Sequence, residues 1–197
     1  MGAPPGSHFV VTGSGKCGTH FVQAVLVELG LPTTHEGVLE PGTPVLHLVR
    51  DTLTVVNARF GENKLADDHA EFVIRNFVRT HMPDVFTDAH DDLGRTLLWV
   101  ERWNRRLDRT PGLHPHLRYQ RRRVEDISAD PVVLDEVVDF LAGVRPGVER
   151  CKSALCAVGT VVGRRAQHAT LAWPDIRAHP DGAGLVQLAL DYGYLPE

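Results

Sequence analysis

The residues best able to do chemistry lie together near the start of the chain, in His8-Phe9-Val10-Val11-Thr12-Gly13-Ser14-Gly15-Lys16-Cys17-Gly18-Thr19-His20. Glycines at 13, 15 and 18 let the backbone approach a bound group closely, Lys16 brings a positive charge, and Thr19 brings a hydroxyl. That combination suits a phosphate or another compact anion. The elements around it fit the same use. Phe9-Val10-Val11 predicts a buried strand. Phe21, Val22, Val25, Leu26 and Leu29 make the apolar stripe of a helix from about Thr19 to Leu29, closed by Gly30 and Pro32. The first N–H groups of such a helix have no partner inside it, and its dipole favours negative charge at that end. Strand, glycine loop and helix together predict an anion cradle.

Three familiar loops share parts of this pattern. A Walker A loop requires G-x-x-x-x-G-K-[ST]. Gly13 and Gly18 are correctly spaced for it, but Thr19 stands in the lysine's place and Lys16 precedes the second glycine. This disfavours an ordinary ATPase or GTPase. The dinucleotide pattern G-x-G-x-x-G is complete in Gly13, Gly15 and Gly18, with Glu36 near the position of a ribose-binding acid. Pro32-Thr33-Thr34-His35 is nevertheless a poor second strand for that fold. A phosphatase loop built on Cys17 needs an arginine where Gln23 stands.

Further along, Pro44-Val45-Leu46-His47-Leu48-Val49 predicts a second buried strand, ending in Arg50-Asp51 and followed by a short helix through Leu53, Val55 and Val56. Ligands of open α/β sheets gather at the carboxyl ends of strands, which puts Arg50 where it can meet a phosphate. Leu65 to Thr80 predicts a helix with Phe72, Val73 and Phe77 inward. Leu93, Leu97, Val100, Asn104 and Leu107 predict another, running to Pro111-Gly112. Leu117 to Val124 is a third strand candidate. Asp130-Pro131 opens a helix with the stripe Val133, Leu134, Val137, Phe140 and Leu141 and a stop at Gly143. Arg145 to His168 shows no clear period and reads as an ordered lid or loop over the nucleotide, in which Arg164 and Arg165 are second-rank phosphate candidates. Thr34-His35-Glu36-Gly37 reads, taken alone, as a polar surface turn.

At 197 residues, 43% hydrophobic and 23% charged with a net charge of −4, the chain can build one substantial core. The charge gives no nucleic-acid signal, and the basic run Arg121-Arg122-Arg123 reads as a solvated face. No apolar run has the length of a membrane span, and no signal peptide is visible. Three cysteines make no disulfide framework. His114-Pro115-His116 lacks an acidic or cysteine partner at ligand spacing, so no metal is expected. The expectation is a cytoplasmic protein with a loose tail at residues 1–7 and a single domain over residues 8–197.

Gly15-Lys16-Cys17-Gly18-Thr19-His20-Phe21 resembles the phosphosulfate-binding loop of the sulfotransferases, in which a basic residue precedes Ser-Gly-Thr; here Cys17 replaces the serine. Leu48-Val49-Arg50-Asp51-Thr52-Leu53 is similar to the family's second nucleotide element, Val-Arg-Asp-Pro-Leu. Arg123-Val124-Glu125-Asp126-Ile127 is similar to its Arg-Val-Glu-Asp-Leu element, whose acids fix the sheet edge and neighbouring loops. Trp99, Trp103 and Asn104, Thr170 to Trp173, and Tyr192-Gly193-Tyr194 extend the likeness to bacterial members.

The resemblance implies a three-layer α/β/α fold of the P-loop type with a mainly parallel sheet. It implies sulfuryl transfer from 3′-phosphoadenosine 5′-phosphosulfate to a hydroxyl or amine of a small molecule or glycan. Gly15, Lys16, Cys17, Gly18, Thr19 and His20 would hold the cofactor, Lys16 would also act in catalysis, and Glu36 or His35 would take the acceptor's proton. Arg50 would bind the 3′-phosphate. The serine that helps it in the family is replaced by Ala58, leaving Asn57 as the substitute. The alternatives are a small-molecule kinase using ATP and a non-catalytic nucleotide-binding relative.

Overall fold

The computed structural model describes residues 9–32, 40–62, 65, 72–159 and 170–194. In chain order the elements are β1 (Val10–Thr12), α1 (Thr19–Glu28), β2 (Pro44–Val49), α2 (Thr52–Glu62), α3 (Phe72–His81), α4 (Asp84–Asp88), α5 (Asp92–Asp108), α6 (Thr110–Leu113), β3 (Arg118–Arg123), α7 (Val124–Ala129), α8 (Pro131–Ala142), α9 (Val148–Val158), α10 (Trp173–Ala178) and α11 (Ala183–Asp191). The chain is an α/β protein. Its described strands form one parallel sheet in the order β1-β2-β3, with Thr12 beside His47 and His47 beside Arg121. Parallel neighbours require crossover connections. α1 lies in the first of these and α2 to α6 in the second.

The chain divides into two compact units, Met1–Arg50 with Leu107–Arg164 and Asp51–Arg106 with Arg165–Glu197. The first holds the sheet. β2 is buried at every position, so both faces of the central strand are covered, as its unbroken apolar run anticipates. On one face Val11, Leu46 and Leu48 share a core with Val22, Val25 and Leu26 of α1, Leu134, Val137 and Leu141 of α8, and Cys151 and Ala154 of α9. Each such Val or Leu contributes about 1.5–3 kcal/mol by leaving water.

Capping follows the sequence closely. Asp130 accepts the Val132 N–H at 2.8 Å, Pro131 takes the first helical position, and Gly143 ends α8 at φ 67°. At the end of α1, Gly30 adopts φ 77°; its N–H donates to the Val27 carbonyl at 2.8 Å and that of Leu31 to the Leu26 carbonyl at 2.9 Å. This pair of bonds satisfies carbonyls that the helix leaves open.

α9 corrects the reading of a loop over the part of Arg145 to His168 that it spans, Val148–Val158. Cys151, Ala154, Leu155 and Val158 recur at i, i+3, i+4 and i+7, a helical stripe made inconspicuous by small residues. Arg150 then donates to the Leu29 carbonyl at 2.9 Å, tying α9 to the end of α1.

The opposite face of the sheet carries a buried polar group. His47 is fully buried, with Nδ1 2.7 Å from the Tyr119 hydroxyl, which donates to Asp108 at 3.3 Å. Burial, reinforced by the Asp108 charge, raises the Tyr119 pKa well above its ordinary value and keeps the hydroxyl protonated. The basic run is spent locally: Arg121 pairs with Asp108 at 3.0 Å, Arg122 with Glu136 at 3.1 Å, and Arg123 with Asp126 at 3.8 Å.

In the second unit Leu65, Val78, Met82, Val85 and Trp99 form a core, with the Arg59 guanidinium 4.7 Å from the Trp99 ring. Phe77 departs from its expected inward position, being 43% exposed, edge-on to Trp103 at 5.4 Å and tilted against His81 at 4.6 Å. Val78 and Met82 set the buried face of this segment, and Phe77 lies about 100° away from Val78 around the helix. The side chains of Phe72 and Val73 lie outside the described residues. α5 stops at Asp108, short of Pro111-Gly112, which belong to the separate α6.

A ring of histidines and aspartates joins the start of α5 to the turn before α11. His90 Nδ1 lies 2.7 Å from Asp181, the His90 N–H donates to the same carboxylate at 3.0 Å, and His179 Nε2 lies 3.1 Å from Asp91. Gly94 leaves room for this arrangement, because a Cβ there would lie 2.1 Å from Asp181 Oδ2 and displace it. Burial opposes the charged form of Asp181, but the bonds from His90 outweigh it and hold the pKa below the usual carboxylate range. At Asp91 the Gly94 N–H has the largest effect, in the same direction. Because the folded pKa is the lower one, the stabilisation is present above the unfolded value and is lost as pH falls through the folded value. Asp181→Asn is therefore expected to lower the melting temperature at neutral pH, and its deficit against wild type should shrink from about pH 5 to about pH 2. Melting curves across that range test it; a constant deficit would assign the loss to packing alone.

Candidate functional site

The carboxyl ends of three adjacent parallel strands carry the three segments that the sequence singles out. β1 leads into the glycine loop, β2 into Arg50, and β3 into Val124-Glu125. Parallel pairing with this register puts those ends on one side of the sheet.

The loop owes its path to glycine. A Cβ on Gly13 would lie 2.2 Å from Cys17 Sγ and 2.6 Å from the Leu48 carbonyl, so the chain turns there against the end of β2. Gly15, Lys16 and Gly18 adopt φ of 70°, 58° and 94°. Among the described residues Lys16 is the one non-glycine with positive φ, a conformation uncommon outside glycine, asparagine and aspartate. Gly18 then takes the N-cap position of α1, where it brings no side chain, and no acid lies in the helix's first turn. Its opening N–H groups thus face a loop built from glycine, lysine and threonine. On its outer side Gly18 touches α7 closely enough that a Cβ would lie 2.5 Å from Val124 Cγ2.

Arg50 binds the loop directly, donating from Nη1 to the Lys16 carbonyl at 3.2 Å. Among the described residues, one of its five guanidinium donors is used in this way. Beside it opens a cavity of about 170 Å³, lined by Gly18, Phe21, Arg50, Val124, Glu125, Ser128, Leu155 and Gly159. The arrangement combines a cation, a carboxylate and an apolar wall at the mouth of a glycine loop. It can hold an anionic group with a flat or apolar extension.

Gly15 to His20 are contiguous at this place, with Lys16 and Thr19 half-buried and His20 exposed on the first turn of α1. Two side chains have duties other than those expected. The Cys17 thiol is fully buried in the core beneath the loop, so this residue offers a ligand its backbone only. Asn57 is 7% exposed; its amide donates to the Leu171 carbonyl at 3.0 Å and its oxygen accepts the Leu171 N–H at 2.7 Å. It clamps the segment before α10 and is not arranged as a phosphate ligand. Asn57→Ala should cost about 1–3 kcal/mol, since a half-buried backbone N–H and carbonyl lose their partner, while leaving nucleotide affinity unchanged. Denaturant unfolding and calorimetry on the one variant check both halves. His35, Glu36, Arg164 and Arg165 lie outside the described residues.

Sequence reading gave Glu125 and Leu155 no place in the site. For Glu125 the signal was present, since it follows a strand end by the same rule that selects Arg50. For Leu155 it lay in the weak stripe of α9. Among the described residues no group of three His, Cys, Asp or Glu could hold a metal ion, and no helix is long and apolar enough to cross a membrane. Comparison with family models, curated proteins and solved structures finds no match to this chain.

Proposed function

We propose that the chain is a sulfotransferase of the P-loop-like α/β/α type, moving a sulfuryl group from 3′-phosphoadenosine 5′-phosphosulfate to a hydroxyl or amine of a small molecule or glycan. The observation that supports this most is the convergence of the glycine loop and Arg50 at neighbouring strand ends, with the arginine bonded to the loop. The residues fit the cofactor: a glycine loop packed too closely for a Cβ at position 13 or 18, a helix start with no acid in its first turn, a guanidinium, and a cavity with apolar walls beside it.

The cofactor, when bound, supplies an activated sulfuryl group for in-line transfer between two oxygens or from oxygen to nitrogen. The chain's part is to position and to stabilise charge. Lys16 and the first N–H groups of α1 hold the 5′-phosphate and stabilise the negative charge that gathers there. Thr19 and His20 complete the cradle. Arg50 holds the 3′-phosphate, and Phe21, Val124 and Leu155 give the nucleoside an apolar surface. Glu36, or His35 in its place, removes the acceptor's proton.

A second reading, a nucleotide-binding relative without turnover, is favoured by one observation: Asn57 is occupied with Leu171 and Ala58 has no polar side chain, so neither supplements Arg50. Thermal shift with adenosine 3′,5′-bisphosphate, ATP with magnesium, and NAD tests the nucleotide. Ligand at 100 times its dissociation constant stabilises a native state by about 2.7 kcal/mol, and only the bisphosphate should do so strongly. A shift with ATP and magnesium alone would instead support a kinase. Bisphosphate binding with no transfer to any of a panel of alcohols and amines would support the non-catalytic relative.

A further inference from the structure

We infer that Arg50 is a positioning residue for the glycine loop: by holding the Lys16 carbonyl it keeps Lys16 in its left-handed conformation, so that binding of a 5′-phosphate depends on a side chain assigned to the 3′-phosphate. The inference rests on the nucleotide reading above and gives Arg50 a duty toward the other end of the same ligand.

Three observations carry it. Lys16 stands at φ 58°, between Gly15 at φ 70° and Gly18 at φ 94°. The left-handed region is unfavourable for an L-residue with a Cβ, and such a residue stays there only when its surroundings hold it. Here the surroundings include the end of β2, which meets the loop twice. Gly13 packs so closely on the Leu48 carbonyl that a Cβ would lie 2.6 Å from it, and two residues further on Arg50 Nη1 donates to the Lys16 carbonyl at 3.2 Å. β2 is buried at every position, so the guanidinium extends from an element fixed on both faces.

Glycine would adopt φ 58° without steric cost. Lysine at this position carries backbone strain, and a hydrogen bond from a cationic donor offsets it, since such bonds are about twice as strong as neutral ones. Without that bond Lys16 relaxes toward negative φ, and its ammonium moves relative to the N–H groups at the start of α1. The carbonyl takes one of the donors of Arg50, and the proposed 3′-phosphate contact takes others of the same planar fork. One side chain thereby ties both ends of the nucleotide site to β2.

The experiment has two readouts on the full chain. In the ligand-free protein, a strong nuclear Overhauser effect between the amide and Hα protons of Lys16, the signature of positive φ, should be present in wild type and much weakened in Arg50→Ala. Calorimetry with adenosine 5′-monophosphate then follows the cycle of wild type, Arg50→Ala, Lys16→Gly and the double variant. With lysine at position 16, Arg50→Ala should weaken the monophosphate by about 3- to 10-fold, the range for one hydrogen bond. With glycine there, the turn needs no brace, and the same change should weaken it by less than about 2-fold. A general loss of structure, or a long-range effect of the Arg50 charge, would weaken the monophosphate equally in both backgrounds and overturns the inference. So does an Arg50→Ala protein in which Lys16 keeps its positive φ. Failure of wild type to bind either the monophosphate or adenosine 3′,5′-bisphosphate overturns the nucleotide reading instead, and the Overhauser effect then decides the positioning role on its own.

Discussion

Replacing Lys16 by alanine or glycine is expected to lower sulfuryl transfer by about 10²–10³-fold, the usual consequence of removing one preorganised charge-stabilising group, with a much smaller loss of bisphosphate affinity. The asymmetry follows from when the charge is needed. On the proposed reading, both the bound nucleotide and the transition state would meet the ammonium, but the bridging oxygen would gain negative charge only as the sulfuryl group departs. Two variants are needed because Lys16 sits at φ 58°. Glycine adopts that conformation without steric cost, whereas alanine keeps the strain the lysine already bears. Any effect common to both reports the lost charge, and any difference between them reports the backbone. Single-turnover rates and calorimetry on the pair decide it. Transfer at the wild-type rate in the glycine variant would remove Lys16 from the chemistry.

The parts of this molecule legible in its sequence are those where one residue type answers one physical demand. Gly13 fits a place that admits no Cβ, Gly30 and Gly143 end helices with positive φ, and Asp130-Pro131 opens α8 with the capping bond that the pair implies. β2 is an unbroken apolar run and is buried throughout. What stayed hidden depends on tertiary placement. Phe77 is as apolar as a core residue, but the phase set by Val78 and Met82 leaves it on the surface. Cys17 stands in a loop of ligand-binding residues, and only the packing against Gly13 and the core shows its thiol turned inward. Asn57 is a polar residue near an expected phosphate site; its partner, Leu171, lies more than a hundred residues away in the chain, where no spacing rule reaches. Glu125 belongs to a motif read as structural, yet it lines the same cavity as Arg50.

On the proposed reading, the protein prefers adenosine 3′,5′-bisphosphate over adenosine 5′-monophosphate, and removing the Arg50 guanidinium should erase that preference. The group follows β2 at the strand's carboxyl end and lines the cavity, with Nη1 donating to the Lys16 carbonyl at 3.2 Å. That bond orients the planar fork, and the remaining donors can take a phosphate through two parallel hydrogen bonds. Each charge-assisted bond is worth about 1.5–3 kcal/mol, so Arg50→Ala should weaken the bisphosphate by about 100-fold or more and the monophosphate far less. Arg50→Lys keeps the charge and loses the fork, which places it between wild type and alanine. Because Arg50 also supports the loop, part of any loss could come from a displaced Lys16 carbonyl. That part weakens both nucleotides alike and cancels in their ratio. Calorimetry on the three proteins with the two nucleotides therefore isolates the 3′-phosphate contact. A ratio that survives in Arg50→Ala assigns the contact to another residue, and a wild type that binds both nucleotides equally has no 3′-phosphate site at Arg50.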